Sequence, residues 1–333
     1  MINTHAVSGE ILRKIVRNSA PQGLTRREAA EALALLEDNP ALLLDLFSLT
    51  RSARKDAPAP FTCGIINAKS GLCAENCAFC AQSAHHDTGA PVYPLVGEAA
   101  LLERAALLAG RGVDYMGIVI SGTGPSDGDF ERICRAARRI IDETGIKLCA
   151  SLGLIGPEQA LRLKEAGFTS YHHNLETAPS FYPQICDTHD IGRRCVTVRN
   201  ARAAGLRCCS GGIFGLGESW EQRLELSALL AELEVDSIPV NLLNAIKGTP
   251  LENAPKLPPR EALTIIALLR LMHPARDIVV CGGRSHNLGR WESLIFPAGA
   301  NGVMVGDYLV SKNNPMEQDL EMLEVLGLRH GRL

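Results

Sequence analysis

The sequence predicts an α/β fold, a (β/α)8 barrel of the TIM type with an N-terminal helical extension. From about residue 60 onward, short β-rich runs alternate with amphipathic helical stretches, which is typical of a parallel sheet covered by helices. The chain has 333 residues, 46% hydrophobic and 21% charged, enough for the core of one barrel. A doubly wound open sheet is the alternative, but the first β-rich run is followed by neither a Walker-type loop nor a GxGxxG motif.

The helical extension is predicted over residues 1–55. Within it, the TRRE segment at Thr25–Glu28 is a capping box that opens the helical run AAEALALLE, because the threonine and glutamate side chains each satisfy the other's free backbone N–H group. The barrel is predicted over residues 56–325, and a C-terminal tail over residues 326–333.

Eight β-rich runs define the predicted barrel strands. The helical stretches between them, such as PEQALRLKEAG, often close on glycine, as helix C-caps do. The Pro-rich run at 252–261 is predicted to be a loop between the sixth strand and its helix. The predicted strands are FTCGIIN (61–67), DYMGIVIS (114–121), KLCASLG (147–153), TSYHHNL (169–175), LRCCSGGI (206–213), VDSIPVNLL (235–243), DIVVCGG (277–283) and NGVMVGD (301–307).

Charge and hydropathy exclude several classes of protein. The net charge is −3, which does not favour nucleic acid as a partner. The N-terminal segment lacks the apolar run of a signal peptide, and no stretch approaches the roughly 18 apolar residues of a membrane span. We therefore expect a cytoplasmic enzyme. In a reducing compartment the odd count of 11 cysteines argues for metal ligation or catalysis rather than a disulfide framework.

Three cysteines, Cys73, Cys77 and Cys80, follow the first predicted strand in CAENCAFC, at the end of a barrel where active sites lie. A zinc site would need a fourth ligand, for which His85 or His86 is available. An iron–sulfur cluster suits three thiolates better and leaves its fourth iron open to another ligand.

The spacing Cys-x3-Cys-x2-Cys, with Phe79 before the last cysteine, resembles the signature of the radical S-adenosylmethionine superfamily. The resemblance implies a 4Fe–4S cluster whose open iron chelates S-adenosylmethionine. One electron from that cluster then cleaves the cofactor to methionine and a 5′-deoxyadenosyl radical.

Five further blocks, spread over roughly residues 60–325, resemble the biotin synthase family. The resemblance implies a sulfurtransferase that converts dethiobiotin to biotin, with two molecules of S-adenosylmethionine spent for two C–H bonds. The blocks are GLCAENCAFCAQS, YHHNLET, CSGGIFGLGE, PVNLLNAIKGTPL and FPAGANGVMVGDYL.

The same resemblance implies roles for residues beyond the three cysteines. Asn174 and Glu176 would bind the ribose of the cofactor, although the family usually has aspartate in place of Glu176. Arg194 would pair with the methionine carboxylate. Asn241, together with Asn174, would face the ureido ring of dethiobiotin, and His172 stands where the family usually has asparagine in the substrate pocket. The glycines expected to let the backbone approach the cofactor are Gly211, Gly212, Gly215 and Gly217.

The sequence departs from the family at the second cluster, the 2Fe–2S centre that supplies sulfur. The resemblance implies three cysteines and one arginine as its ligands. Cys149 and Cys209 match two of those cysteines, but Gly117 and Val279 stand where the third cysteine and the arginine would be. The family's sulfur-donating centre therefore cannot be assembled in its usual form.

Two cysteines are gained where the family has serine, Cys63 on the first predicted strand and Cys281 on the seventh. With Cys149 and Cys209 they belong to the four odd strands, which contribute side chains to one layer of a barrel interior. Four such thiols predict an auxiliary four-iron cluster, 4Fe–4S or 4Fe–5S. The alternative is that they are small buried hydrophobic residues, as is expected for the remaining cysteines, Cys134, Cys186, Cys195 and Cys208.

Three other functions stay open at this point. The chain is alternatively another radical S-adenosylmethionine enzyme, of the hydrogenase-maturation or methylornithine type, an iron–sulfur scaffold or redox sensor, or a zinc-stabilised barrel. The biotin synthase resemblance further implies an electron donor such as flavodoxin or ferredoxin, the iron–sulfur assembly machinery as a partner, and a homodimer.

Overall fold

The computed structural model describes residues 4–19, 22–53 and 59–328. It has nine strands, β1 to β9, all joined by parallel pairings. The strands are β1 Phe61–Lys69, β2 Tyr115–Ile120, β3 Lys147–Ser151, β4 Ser170–His172, β5 Arg207–Cys209, β6 Gly212–Phe214, β7 Ser237–Leu242, β8 Asp277–Val280 and β9 Gly302–Met304.

The sheet closes on itself. Its strand order is β5-β4-β3-β2-β1-β9-β8-β7-β6, and an additional pairing joins β5 to β7 at Cys209 and Ser237. Because β5 and β6 are consecutive halves of one strand, the ring has eight positions. The predicted TIM-type barrel is confirmed, and the alternative of an open doubly wound sheet is wrong.

The interruption of the fifth predicted strand has a steric cause. A side chain at Gly211 would place its Cβ 2.0 Å from the Pro239 carbonyl oxygen, and one at Gly212 would lie 2.5 Å from the Glu176 carbonyl oxygen. Only glycine permits the backbone to approach its neighbours this closely. The strand is therefore interrupted here, and Ser210 N–H still donates to the Ser237 carbonyl at 2.9 Å.

Helices surround the barrel and follow the predicted alternation. The capping box at the start of α2 is confirmed, since Glu28 N–H donates to Thr25 Oγ1 at 3.3 Å and Thr25 N–H donates to Glu28 Oε2 at 2.9 Å. The helices are α1 Thr4–Ser19, α2 Arg26–Asp38, α3 Leu43–Ala53, α4 Glu98–Gly110, α5 Asp127–Thr144, α6 Pro157–Glu165, α7 Ile191–Ala203, α8 Trp220–Glu232, α9 Pro259–Met272, α10 Arg284–Leu288, α11 Ile295–Ala298 and α12 Met316–Val325.

Some of the predicted domain limits lie outside the residues that the structure describes. The limit between residues 55 and 56 lies outside them, as do residues 329–333 of the predicted tail. The N-terminal helices pack on the barrel's helical layer, α2 against α8 and α3 against α9. The Pro-rich run at 252–261 is a loop up to α9, as predicted.

Among the residues that the structure describes, apolar side chains form two buried clusters. The larger one fills the space between the strands and the surrounding helices. The smaller one includes Ile65, Val279, Cys281 and Met304, with Cys63 packed against it. Since residues of this smaller cluster also line the central cavity, it belongs to the barrel interior, where a site would lie.

Candidate active site

A cavity of about 360 Å³ occupies the interior of the barrel. The three cysteines that follow β1 line it, and so do the four cysteines predicted to hold an auxiliary cluster. The residues of both predicted cysteine sets therefore border one and the same cavity.

The loop after β1 presents Cys73, Cys77 and Cys80. It is held by backbone bonds, from Cys73 N–H to Gln82 O at 3.0 Å and from Ala84 N–H to Cys73 O at 2.7 Å. Burial raises the pKa of the Cys80 thiol to about 11 and that of Cys77 still further. These thiols are protonated in the metal-free chain, so binding a metal must release their protons.

The loop does not offer the fourth ligand that a zinc site requires. The His85 imidazole is bonded to the Ala74 carbonyl at 3.0 Å, and His86 to the Cys77 carbonyl at 3.1 Å. Among the described residues, one group alone has three ligand atoms within 4.8 Å of one another, and it combines Cys77 with Cys186 and His189. The spacing of the three loop thiols therefore fits a polynuclear cluster with one position left open better than a single ion.

Arg194 on α7 reaches the cavity beneath this loop. Its Nη1 donates to the Asn174 carbonyl at 2.8 Å and lies 3.4 Å from Glu176 Oε1, while its Nε donates to the Tyr182 hydroxyl at 2.7 Å. Burial opposes its charge, but Glu176 and Tyr182 more than offset that cost, and the pKa of Arg194 is raised. It remains a cation inside the cavity wall, where a carboxylate is a suitable partner.

Glu176 and Asn174 lie directly after β4. Glu176 adopts a left-handed backbone with φ 71°, and burial raises the pKa of its carboxyl. Its Oε2 is buried without a hydrogen-bond partner, which is costly unless a ligand supplies a donor. Asn174 already accepts a bond from Gly211 N–H at 3.2 Å. The orphaned oxygen of Glu176 thus fits a hydroxyl-bearing ligand such as a ribose.

Phe79 lines the cavity, whereas Gly211, Gly212, Gly215 and Gly217 are not among its lining residues. Gly211 and Gly212 are required by contacts within the protein, as described above. Gly215 and Gly217 have φ values of 96° and 105°, which favour glycine on conformational grounds. The turn is therefore explained by the packing of the chain, and contact of these glycines with a cofactor stays a prediction.

Cys63, Cys149, Cys209 and Cys281 all line the cavity within the barrel. Cys281 lies one residue beyond β8, but its N–H continues the pairing with β7 by donating to Val240 O at 2.9 Å. Burial raises the pKa of Cys149 to about 11 and of Cys281 to about 12, and the charges of the other three thiols raise the pKa of Cys63 further. These mutual effects show that the four thiols lie close enough for a charge on one to affect the others.

The positions at which the family would place its other two ligands also face the interior. Gly117 and Val279 both line the cavity, and neither has an atom that binds a metal. By contrast, Cys208 points away from the axis and contacts the Val198 carbonyl on α7 at 3.4 Å. Cys208 thus borders the cavity, but its sulfur contacts α7, as expected for a packing residue.

The two remaining candidate substrate contacts also line the cavity. Asn241 accepts a bond from Gly282 N–H at 3.0 Å and donates to the Gly212 carbonyl at 3.3 Å, so its amide is held rigidly. His172 Nδ1 lies 3.4 Å from the Cys209 sulfur, and burial lowers its pKa to about 4. The His172 imidazole is therefore neutral and adjoins the auxiliary cysteines as well as the cavity.

Several residues in or beside the cavity were not predicted from the sequence. Cys186, expected to be a packing residue, is buried as expected, but its sulfur lies 3.8 Å from that of Cys77 and 3.2 Å from His189 Nδ1. Glu75 bonds the same His189 nitrogen at 2.8 Å. In the sequence, the run CDTH at 186–189 places a cysteine and a histidine three residues apart, and this spacing could have indicated their contact.

His173 and Tyr308 are two further unpredicted residues of the cavity wall. His173 Nε2 is buried without a partner, and burial lowers its pKa. Burial also raises the pKa of Tyr308. Both lie in sequence blocks that resemble the family. No role was predicted for them, because neighbouring residues in the same blocks have side chains with a more specific chemistry.

Comparison with protein-family models gives two matches. The Radical SAM superfamily model matches residues 69–230, and the Biotin and Thiamin Synthesis associated domain matches residues 239–329. Together the two models cover most of the chain from the end of β1 to α12. No helix within the described ranges has the length and apolar character needed to cross a membrane.

Curated relatives are similar over most of the chain. A biotin synthase of Nitratidesulfovibrio vulgaris strain DP4 is 56% identical over 313 residues, 94% of this chain and 86% of the relative. A biotin synthase of Geobacter sulfurreducens is 57% identical over 267 residues, 80% of this chain and 81% of the relative.

Solved structures support the fold at lower identity. Methylornithine synthase has a TM-score of 0.80 at 22% identity, covering 96% of this chain and 97% of its own. The FeFe-hydrogenase maturase from Carboxydothermus hydrogenoformans has a TM-score of 0.80 at 18% identity, covering 98% and 79%. At these identities the likeness concerns the barrel and not the reaction.

Proposed function

The chain belongs to the biotin synthase family of radical S-adenosylmethionine enzymes, and from this premise we propose that it inserts sulfur into dethiobiotin using an auxiliary four-iron cluster as the sulfur donor. The ligands proposed for this cluster are Cys63, Cys149, Cys209 and Cys281. The observation that carries the proposal is that these four thiols line the same cavity as Cys73, Cys77 and Cys80.

The radical-generating half is proposed at the mouth of the barrel. Cys73, Cys77 and Cys80 would hold a 4Fe–4S cluster, which supplies the electron that cleaves S-adenosylmethionine. Arg194 would bind the methionine carboxylate, because it is a buried cation whose charge Glu176 maintains. The unpartnered Glu176 Oε2 would accept a hydrogen bond from a ribose hydroxyl, which removes the cost of leaving that oxygen unsatisfied.

The sulfur-donating half is proposed deeper in the barrel. A centre with the family's usual ligands would need metal-binding side chains at Gly117 and Val279, and both residues lack one. Four inward thiols instead match the number of ligands that bind a four-iron cluster, 4Fe–4S or 4Fe–5S. When bound, this cluster would supply sulfide to the substrate.

Dethiobiotin would bind between the two sets of cysteines. Asn241 and Asn174 present amide groups whose orientation is fixed by backbone bonds, and such groups suit the donors and acceptors of a ureido ring. Phe79 and Ile213 add apolar surface to the cavity wall. A largely apolar enclosure keeps water away from a reactive carbon radical.

The cysteine chemistry supports action in a reducing compartment, which we propose to be the cytoplasm. All 11 cysteines lie within the described ranges and are free thiols. An electron donor such as flavodoxin or ferredoxin, the iron–sulfur assembly machinery and a homodimeric state are proposed with the family.

The origin of the sulfur is tested by isotopic labelling. The anaerobic protein is reconstituted with iron and isotopically labelled sulfide, freed of excess sulfide, and supplied with dethiobiotin, S-adenosylmethionine and reductant. We expect labelled biotin by mass spectrometry, and no biotin from C281S. Unlabelled biotin would refute the cluster as donor, and absence of biotin from the wild-type protein would refute the activity. Cys134→Ser, on α5 outside the cavity, is the matched control.

A further inference from the structure

His172 and Cys209 face each other across two neighbouring strands. They are register partners in the pairing of β4 with β5, and His172 Nδ1 lies 3.4 Å from the Cys209 sulfur. Both side chains line the barrel cavity. The register of β4 against β5 therefore fixes the position of this contact.

The direction of this hydrogen bond follows from the chemistry of a metal-bound cysteine. A cysteine that binds iron is a thiolate and has no proton to donate. The contact then requires a proton on His172 Nδ1, with the Cys209 sulfur as acceptor. A neutral imidazole provides this donor in one of its two tautomers.

The four proposed ligands have unequal surroundings. Cys209 lies near the Ser237 hydroxyl in addition to the His172 ring, and Cys149 lies near the Ser170 hydroxyl and the backbone N–H of His172. The other two, Cys63 and Cys281, adjoin the cluster of apolar side chains within the barrel, and Cys281 also experiences the charge of Arg284. Of the four sulfurs, that of Cys209 has a ring N–H donor fixed by strand register.

We infer that His172 is a positioning residue of the auxiliary site, whose Nδ1–H donates to the Cys209 sulfur and makes Cys209 the most weakly held of the four ligands. The inference rests on the proposed function, because it takes Cys209 as a ligand. A hydrogen bond withdraws electron density from a thiolate, so it weakens the sulfur–iron bond and raises the reduction potential. A weakly held ligand can leave its iron while the other three cysteines keep theirs.

The hydrogen bond is tested with His172→Leu, which removes the donor, and His172→Gln, which keeps an N–H donor. We expect H172L to lower the reduction potential of the auxiliary cluster in a redox titration, and H172Q to remain closer to the wild type. Pulsed electron paramagnetic resonance of the reduced auxiliary cluster should show weak nitrogen coupling in the wild type that H172L loses. His286→Leu, exposed and outside the cavity, is the control and should change neither.

Two results would overturn the hydrogen-bond role. Strong nitrogen coupling in the wild type would make His172 a direct ligand. An unchanged potential and coupling in H172L would mean that the contact is not made in the loaded protein. Because neither measurement depends on turnover, a slow variant is still informative.

A matched pair of variants, Cys209→Ser and Cys63→Ser, tests whether Cys209 binds the auxiliary iron more weakly than Cys63 does. If Cys209 is the weakest ligand, C209S should keep most of the auxiliary iron. C63S should lose at least about half of it, because even a change in a residue that only contacts a ligand lowers metal affinity about 10- to 100-fold. Equal loss of iron from the two variants would contradict the inference.

Failure of this inference is distinguishable from failure of the proposed function. A wild-type protein with no auxiliary four-iron cluster would refute both. A wild-type protein that holds this cluster and forms labelled biotin, combined with equal behaviour of C209S and C63S, would refute the inference alone.

Discussion

The Arg194 guanidinium lies 3.4 Å from the Glu176 carboxylate, measured from Nη1 to Oε1, in the wall of the barrel cavity. Both side chains are largely buried, so each depends on the other for its charge. The second oxygen of Glu176 has no partner. Arg194 and Glu176 therefore hold each other in place through Oε1, and Glu176 Oε2 can accept a hydrogen bond from a ligand.

We expect Arg194→Lys to reduce cleavage of S-adenosylmethionine about 10- to 100-fold, because a charge-assisted hydrogen bond contributes about 1.5–3 kcal/mol and an ammonium does not reproduce the planar guanidinium. The measurement is release of 5′-deoxyadenosine by the reduced protein. Arg199→Lys, exposed on the same helix α7, should behave as the wild type. Equal rates for R194K and the wild type would show that Arg194 does not bind the cofactor.

Replacement of Cys281 by serine should separate the two halves of the reaction. We expect C281S to cleave S-adenosylmethionine but to form no biotin, because the cysteines after β1 are untouched while the auxiliary site loses a ligand. Parallel assays of 5′-deoxyadenosine and biotin check this expectation. Biotin formation by C281S at the wild-type rate would remove Cys281 from the proposed ligand set.

The capping box of α2 provides a test of stability far from the cavity. Thr25→Ala should lower the free energy of unfolding by about 1 kcal/mol, because it leaves the N–H of Glu28 without its side-chain acceptor. Denaturant titration of the loaded protein measures this change. Thr25→Ser keeps the hydroxyl and serves as the control, and equal stability of the two variants would mean that the cap contributes nothing.

His273 should make stability depend on pH. Burial, assisted by Arg276 and Arg270, lowers its pKa from 6.5 to about 4, and its Nε2 lies 2.8 Å from the Ser227 hydroxyl. As the pH falls from 6.5 to about 4, the unfolded chain binds a proton that the folded chain does not, so stability decreases. His273→Gln should show a smaller decrease between pH 7 and about 5 in denaturant titrations. An equally steep decrease in the variant would contradict this assignment.

Sequence periodicity was sufficient for the barrel, because each strand is a short β-rich run and each helix has an apolar face. It was not sufficient for the break between β5 and β6, where Gly211 lies against Pro239, since that contact joins residues on different strands. The end of β8 at Val280 was likewise not predicted, although Cys281 continues its pairing.

Cavity residues could be predicted from the sequence where the residue type itself indicates a function, as clustered cysteines indicate metal binding. The seven cysteines predicted to bind clusters all line the cavity, and they were identified from spacing, strand parity and the family resemblance. Cys186 was not, because its proximity to Cys77 arises when the loop after β4 folds under the loop after β1. The contact between His172 and Cys209 required the strand register, which a single sequence does not provide.

The central claim is that four thiols from alternate positions of the barrel hold a four-iron cluster. It is tested most directly by iron analysis combined with Mössbauer spectroscopy of the anaerobically reconstituted protein. We predict about eight irons per chain, all in four-iron clusters, since each of two clusters contains four. A spectrum containing a 2Fe–2S centre, or only about four irons per chain, would contradict it.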